Sequence, residues 1–335
     1  MAAATGGALA GRTRLARFGG IVGSRTLTYT AGGMLVLMLA VPLAHNGYYE
    51  NLFRGVLMFS AMALGWNLIG GYAGYVSFGN VVFFGLGAYT SAVLAQANVP
   101  NVWLAIPLAM LVAAAFAALL GVPILRLRGH YFGIATLGIA LATQEIVANV
   151  DALGGGTGVT LRQADFFTQY YYAMWLVCAL SFATTLIIAR SRFGFALVAI
   201  RENEEAAAVL GIDATRFKVA AWAVSGMMAA GAGAVFAFAN GFIDPPTAFA
   251  VDNNVFPIVM SILGGVGTVG GPILGAVVLV AINESLWSRF PQIHTLFFGA
   301  VIVLVVLFLP RGIAGVRSLR GGARAFAESL RAYRV

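Results

Sequence analysis

Apolar runs recur along almost the whole of this sequence, the longest from about Val102 to Leu125. A hydrocarbon layer about 30 Å thick is crossed by about 20 such residues in a helix, and it tolerates no backbone whose polar groups are left unpaired. Charged residues make up only 10% of the chain, where about a quarter is usual for a water-soluble domain. Too little polar surface is available to coat a large soluble core. The expected fold class is therefore all-α: a polytopic helical membrane protein with about nine or ten spans, one of them short or re-entrant.

The runs fall at about Tyr29 to Ala44, Leu52 to Ile69, Val81 to Ala95, Val102 to Leu125, Tyr131 to Val150, Tyr171 to Ala189, Val219 to Asn240, Val255 to Leu263, Pro272 to Leu286 and Thr295 to Leu309. The first has the length of a signal-peptide core, but no small-x-small cleavage site ends it, so a retained span is expected. The run at Val255 to Leu263 is short for a span and reads as a half-helix or re-entrant element. Residues 1–28 form a basic tail carrying Arg12, Arg14, Arg17 and Arg25, residues 29–310 the membrane domain, and residues 311–335 a second basic tail with Arg311, Arg317, Arg320, Arg324, Arg331 and Arg334. Arginine-rich ends stay in the cytoplasm. An even number of passages, with the short element counted, puts both tails there.

The formal charge of +8 does not point to nucleic acid, because the arginines sit in the tails and in loops on one side and no basic patch is interleaved with stacking aromatics. Cys178 is the only cysteine, which excludes an internal disulfide and a cysteine metal site. His45, His130 and His294 lie at separate span ends without metal-ligand spacing. Lys218 is the lone lysine, and no glycine-rich phosphate loop precedes it, so nucleotide hydrolysis would need another chain. No nucleophile-elbow pattern marks a hydrolase. What remains is transport, with no catalytic residue, metal or cofactor expected on this chain.

Two glycine-rich stretches interrupt the bundle, Gly70 to Asn80 and Gly264 to Pro272, at similar places in the two halves, and an internal repeat fits them. Such a stretch can break a helix at membrane depth if protein or water shields the freed backbone. The first could line a pathway, or Gly70 and Gly74 could simply let helices approach. Ser225, Ala229 and Gly233 mark a packing face by their four-residue spacing, and Gly267, Gly271 and Gly275 mark another. Glu145, near Gln144 and Asn149, and Glu284, beside Asn283, are carboxylates near the outer ends of spans. Asp151 to Tyr170 is the longest outside loop, and no strand signal accompanies its glycines. Polar side chains in spans tend to face protein or water, which makes Tyr75, Ser77, Phe78, Asn80, Tyr131, Thr136 and Glu145, with the polar members leading, the candidate pathway set.

The longest polar interruption is Arg190 to Lys218. Glu202, Glu204 and Glu205 lead into Ala206 to Leu210, and Gly211 supplies the stop that a helix C-terminus favours. A short amphipathic helix is expected here, a handle for something outside the bilayer. Glu205-Ala206-Ala207-Ala208-Val209-Leu210-Gly211 reads Glu-Ala-Ala-x-x-x-Gly and resembles the cytoplasmic coupling motif of ABC importer permeases. Its flanks, Phe193 to Asn203 and Ile212 to Lys218, are similar to the same loop of the LivM-type branched-chain amino acid permeases. So are Gly71 to Asn80 with Phe83 to Thr90, Leu127 to Leu137, and Leu263 to Ala276, and the resemblance extends in order from about Ala61 to Pro310.

The resemblance implies a permease subunit of an ATP-driven importer in a bacterial inner membrane. Its partners would be a second homologous permease, two cytoplasmic P-loop ATPases that hold ATP and Mg, and a periplasmic substrate-binding protein. Arg201, Glu202, Glu204 and Glu205 would make polar contacts with an ATPase, and Ala206, Ala207 and Gly211 would allow close approach. On the residues alone a solvated helix with Arg201 and Glu205 paired at i and i+4 is the simpler reading. The sequence departs from the family at Tyr75, Phe78 and Asn80, where glutamine, leucine and histidine are common. The usual substrates are branched-chain or other hydrophobic amino acids; urea, short amides or aromatic acids are carried by related permeases. An ion-coupled secondary transporter is the alternative of a different class.

Overall fold

The computed structural model describes residues 25–127, 129–161 and 167–289, together with residues 296, 299, 300 and 303. Most of the expected last span, Thr295 to Leu309, and most of both basic tails lie outside the described residues.

Helix α1 (Arg25–Met38) buries Leu27, Ala31, Leu35 and Met38, a single stripe at helical spacing, and is followed by a 3-10 turn at Val41–Ala44. Helix α2 (Gly47–Trp66) is capped by Asn46 and does not stop at Gly70: it continues as a π-helical segment, Asn67–Tyr72. Only then does the chain leave the helix and run without regular structure to α3 (Asn80–Gln96). Next come α4 (Val102–Ile124), α5 (His130–Ala148) and α6 (Phe167–Arg190). The polar interruption forms α7 (Arg192–Glu202) and α8 (Glu204–Val209), and α9 (Ala214–Asn240) follows. The described chain closes with the single turn α10 (Pro245–Ala248), α11 (Val251–Gly264) and α12 (Gly271–Arg289). Among the described residues six helical stretches are long and apolar enough to cross a membrane, and Asn80–Gln96 and Gly271–Leu286 are shorter apolar helices.

The element at Val255 to Leu263 lies in α11, 14 residues long, and with the preceding turn α10 the stretch Pro245–Gly264 reaches 20 residues. The polar residues before the run are absorbed into the helix: Asn253 Nδ2 donates to the Thr247 carbonyl at 3.2 Å and Asn254 Nδ2 to that of Phe78 at 2.6 Å. The long loop does contain strand: β1 (Val159–Thr160) pairs antiparallel with β2 (Phe242–Ile243), Val159 opposite Ile243. Two residues are too few to show alternation in a sequence.

Helix α9 is the centre of the bundle and packs most extensively against α4 and α3. Its small residues bring backbones together: a Cβ on Gly87 of α3 would lie 2.0 Å from the Ala230 carbonyl oxygen, and one on Gly233 would lie 2.0 Å from that of Phe84. Ser91 Oγ donates to the Ala234 carbonyl across the same contact at 3.0 Å. In lipid there is no hydrophobic drive between helices, so close van der Waals fit and such bonds carry the association. Phe83 fills the remaining space edge-on to Trp222 and Phe116, with centroids 5.1 and 6.0 Å apart. Helices α11 and α12 form a second close pair, where a Cβ on Gly275 would lie 1.9 Å from the Met260 carbonyl oxygen.

Candidate functional site

The polar interruption is two helices, not one. Asn203 adopts extended backbone between α7 and α8, and its side chain accepts from the N–H groups of Glu205 and Ala206, both at 3.0 Å. That cap starts α8 afresh. It also leaves Arg201 and Glu205 on different helices, and Arg201 meets Glu202 at 3.3 Å instead. At the other end Gly211, with φ +81°, closes α8: its N–H bonds the Ala208 carbonyl at 2.9 Å and that of Ile212 bonds Ala207 at 3.1 Å. This pairing is the Schellman motif, which needs a left-handed residue at the glycine position. Ser191 caps α7, Asp213 caps α9, and Phe193 stacks on Phe217 with centroids 5.4 Å apart, so the loop is held to the roots of α6 and α9.

The buried side of this loop is charged. Lys218, 1% exposed, donates to Glu204 Oε1 at 3.0 Å and to the Tyr75 hydroxyl at 3.1 Å, and its Nζ stands 4.4 Å from the centre of the Tyr75 ring. Tyr75 in turn donates to Glu204 Oε2. Burying an ammonium is costly unless it is paired and hydrogen-bonded, and here both conditions hold. Arg201 extends from the end of α7 to the first break, where Nη1 donates to the Gly71 carbonyl at 2.8 Å. The last carbonyls of a helix have no partner within it, and a cation placed on them also meets the favourable end of the helix dipole. A Cβ on Gly74, whose φ is +78°, would stand 2.5 Å from Arg201 Cγ, and one on Gly267 3.3 Å from Nη1. The Arg201 side chain thus runs past glycines of both breaks.

The breaks are joined to each other beneath it. The buried Asn67 donates from Nδ2 to the Thr268 carbonyl at 2.8 Å and accepts from Gly267 N–H at 2.8 Å. Side chains from three helices shield the first break: Trp66 Nε1 donates to the Ser77 carbonyl at 2.9 Å, Thr136 Oγ1 accepts from Phe78 N–H at 3.0 Å, and Asn254 takes the Phe78 carbonyl. Non-helical backbone at membrane depth is tolerated where it is satisfied in this way. Asn80 Nδ2 donates to Ser225 Oγ at 3.2 Å. The Oδ1 atoms of Asn80 and Asn254 are buried and accept no hydrogen bond among the described residues.

Residues 48–306 match the family described as branched-chain amino acid transport system / permease component. The chain belongs to this family. It is 30% identical over 312 residues to the high-affinity branched-chain amino acid transport system permease protein LivM of Salmonella typhimurium, covering 84% of this chain and 73% of that protein. It is 25% identical over 297 residues to LivH of Escherichia coli, covering 80% of this chain and 96% of LivH. A part of it, 40% of the chain, is 36% identical to the autoinducer 2 import system permease protein LsrC of Photorhabdus laumondii. No solved structure matches.

In this permease the residues expected at the coupling contact divide between two sides. Glu202, Glu205, Ala206 and Gly211 are exposed, whereas Ala207 is buried and Arg201 and Glu204 turn inward. Of the expected pathway residues, Ser77, Phe78, Asn80 and Thr136 gather at the first break, and Tyr75 joins the loop cluster. Tyr131, 74% exposed, and Glu145, also exposed, lie on α5 with their side chains outside these contacts. Sequence reasoning missed Lys218, Asn67, Asn254, Val209 and Leu210. Signals existed for the first three, each polar within or beside a span. Val209 and Leu210 are 89% and 78% exposed at the end of α8, apolar residues in the most polar loop of the chain. Among the described residues no group of three or more His, Cys, Asp or Glu could hold a metal ion.

Proposed function

We propose that this permease works in an ATP-driven, binding-protein-dependent importer, and that the α7–α8 loop is its contact with the ATPase. The observation that carries the reading is the two-sidedness of that loop. Its outer side offers the Glu202 and Glu205 carboxylates, the small Ala206 and two bare apolar side chains, Val209 and Leu210. Burying a leucine-sized side chain contributes about 1.5–3 kcal/mol, so a partner cleft over this surface has a reason to hold it. Its inner side is bonded to the helix breaks, so motion of the loop has somewhere to go.

The loop and both arginine-rich tails then face the cytoplasm, in accord with the bias that keeps arginine inside. Two P-loop ATPases would bind there with ATP and Mg, a second homologous permease would complete the pathway in the bacterial inner membrane, and a periplasmic binding protein would deliver solute to the opposite face. The relatives named for branched-chain amino acids favour that substrate class, or other hydrophobic amino acids. The bulkier Phe78 at the first break keeps urea, short amides or aromatic acids as the second substrate reading.

Reversing the charge at the exposed carboxylate, Glu205→Arg, should abolish ATP-dependent uptake in membrane vesicles while the chain still reaches the membrane. Normal uptake by that variant removes the coupling role from this loop. Recovery of the chain in mild detergent with a P-loop ATPase and a second permease is the companion expectation.

A further inference from the structure

We propose that Arg201 and the Lys218–Glu204–Tyr75 cluster form a latch that makes the loop and the two glycine-rich breaks one moving body. The inference rests on the reading of α7–α8 as the ATPase contact and adds what that contact moves. Through covalent continuity alone, a push on α7 and α8 would be passed to α6 and α9. The geometry adds two shorter routes, neither of which follows the chain.

One route is Arg201, whose guanidinium bonds the Gly71 carbonyl at 2.8 Å and lies against Gly267 of the second break. The other is Glu204, the first residue of α8, which holds both the Tyr75 hydroxyl of the first break and Lys218 of α9. Below them Asn67 ties break to break. A long side chain transmits force only while both its ends are held, and Arg201 is held by its backbone in α7 and by the Gly71 carbonyl, along a path that the missing Cβ atoms of Gly74 and Gly267 leave open. Charge-assisted bonds in a half-buried setting are the stronger kind. Segments 73–79 and 265–270 should therefore follow α8 whenever a partner displaces it. In this arrangement Arg201, Glu204, Lys218 and Tyr75 are positioning residues, and the solute-facing groups are the ones they carry.

The test uses the complete importer reconstituted in nanodiscs, with Cys178→Ser removing the one native cysteine, which is buried. Spin labels are placed at residues 208 and 76, both exposed, one on α8 and one in the first break. Their separation should stay constant between nucleotide-free and ATP-trapped states in the otherwise native chain, and should change in Arg201→Met. Uptake per ATP hydrolysed should fall at least tenfold in Arg201→Met, and Arg201→Lys, which keeps one donor for Gly71, should recover part of it. Tyr75→Phe, which keeps the ring over Lys218 and loses only the hydroxyl, should lower the same ratio severalfold and serves if Arg201→Met does not fold. A separation that changes by several ångströms in the native chain, or an unaltered ratio in Arg201→Met or Tyr75→Phe, overturns the latch. Leu210→Asp separates the two levels: if it loses the ATPase while Arg201→Met couples normally, the latch alone fails. If it keeps both the ATPase and uptake, the coupling reading fails and the latch with it.

Discussion

Lys218 illustrates how little a residue's identity says without its neighbours. As the lone lysine it excluded a phosphate-binding loop; in the fold it is the buried cation that Glu204 and Tyr75 share. Breaking a buried pair by removing one partner costs roughly 3–5 kcal/mol, whereas removing both can be nearly neutral. Glu204→Gln should therefore lower the unfolding temperature of the detergent-solubilised chain markedly, and adding Lys218→Met should restore most of the loss, as followed by tryptophan fluorescence on heating. A double variant no more stable than Glu204→Gln would mean that the pair is not coupled. The same scale separates two glycines that a sequence treats alike. Gly74 and Gly129 both have positive φ, but a Cβ on Gly74 meets Arg201 and one on Gly129 meets nothing within 4 Å. A positive φ strains an alanine at either place; only at Gly74 is a collision added. Gly74→Ala should thus lose far more uptake than Gly129→Ala at matched membrane levels.

Among elements, α8 is short and is started by a single side chain. Its six residues are too few to persist as a helix by propensity, and Asn203 satisfies two of its N–H groups. Asn203→Ala should cost about 0.5–2 kcal/mol locally. It should raise hydrogen exchange across residues 204–209 while leaving α9 protected; equal protection in the variant would show that α8 is held by packing instead. The helix and its glycine stop were legible in composition. The second start at Asn203 was not, because an asparagine between glutamates is as compatible with one helix as with two. Similarly, the π-helical continuation through Gly70 and Gly71 is decided by tertiary contacts: a Cβ on Gly71 would lie 2.1 Å from Asn67 Oδ1, the atom that reaches across to the second break. Gly71 thus lets the Asn67 side chain pass, while a Cβ on Gly70 would meet the Trp66 ring at 2.6 Å.

At the level of the whole molecule, Asn67 joins the two halves, residues 67 and 267 meeting across most of the described chain. Asn67→Ala leaves the Gly267 N–H and the Thr268 carbonyl without that partner in a buried place, at about 1–3 kcal/mol for each group. The variant should unfold at lower temperature and over a broader range as the halves lose cooperativity. An unchanged, equally sharp transition would mean that α2, α11 and α12 hold together without the bridge.

Membrane class, the places of most spans and the existence of a polar handle were determined by the sequence alone, since each follows from local composition set against a fixed hydrocarbon thickness and the cost of a bare peptide group. The same holds for the family, whose motifs lie in order along the chain. Which face of the handle looks outward was decided only by the tertiary structure. Arg201, Glu204 and Lys218 are charged residues in a polar loop, and nothing local distinguishes them from Glu202 or Glu205. The first three turn inward because the breaks supply a bare carbonyl, a tyrosine hydroxyl and glycine-sized space at the same depth, a coincidence that only the packed bundle creates.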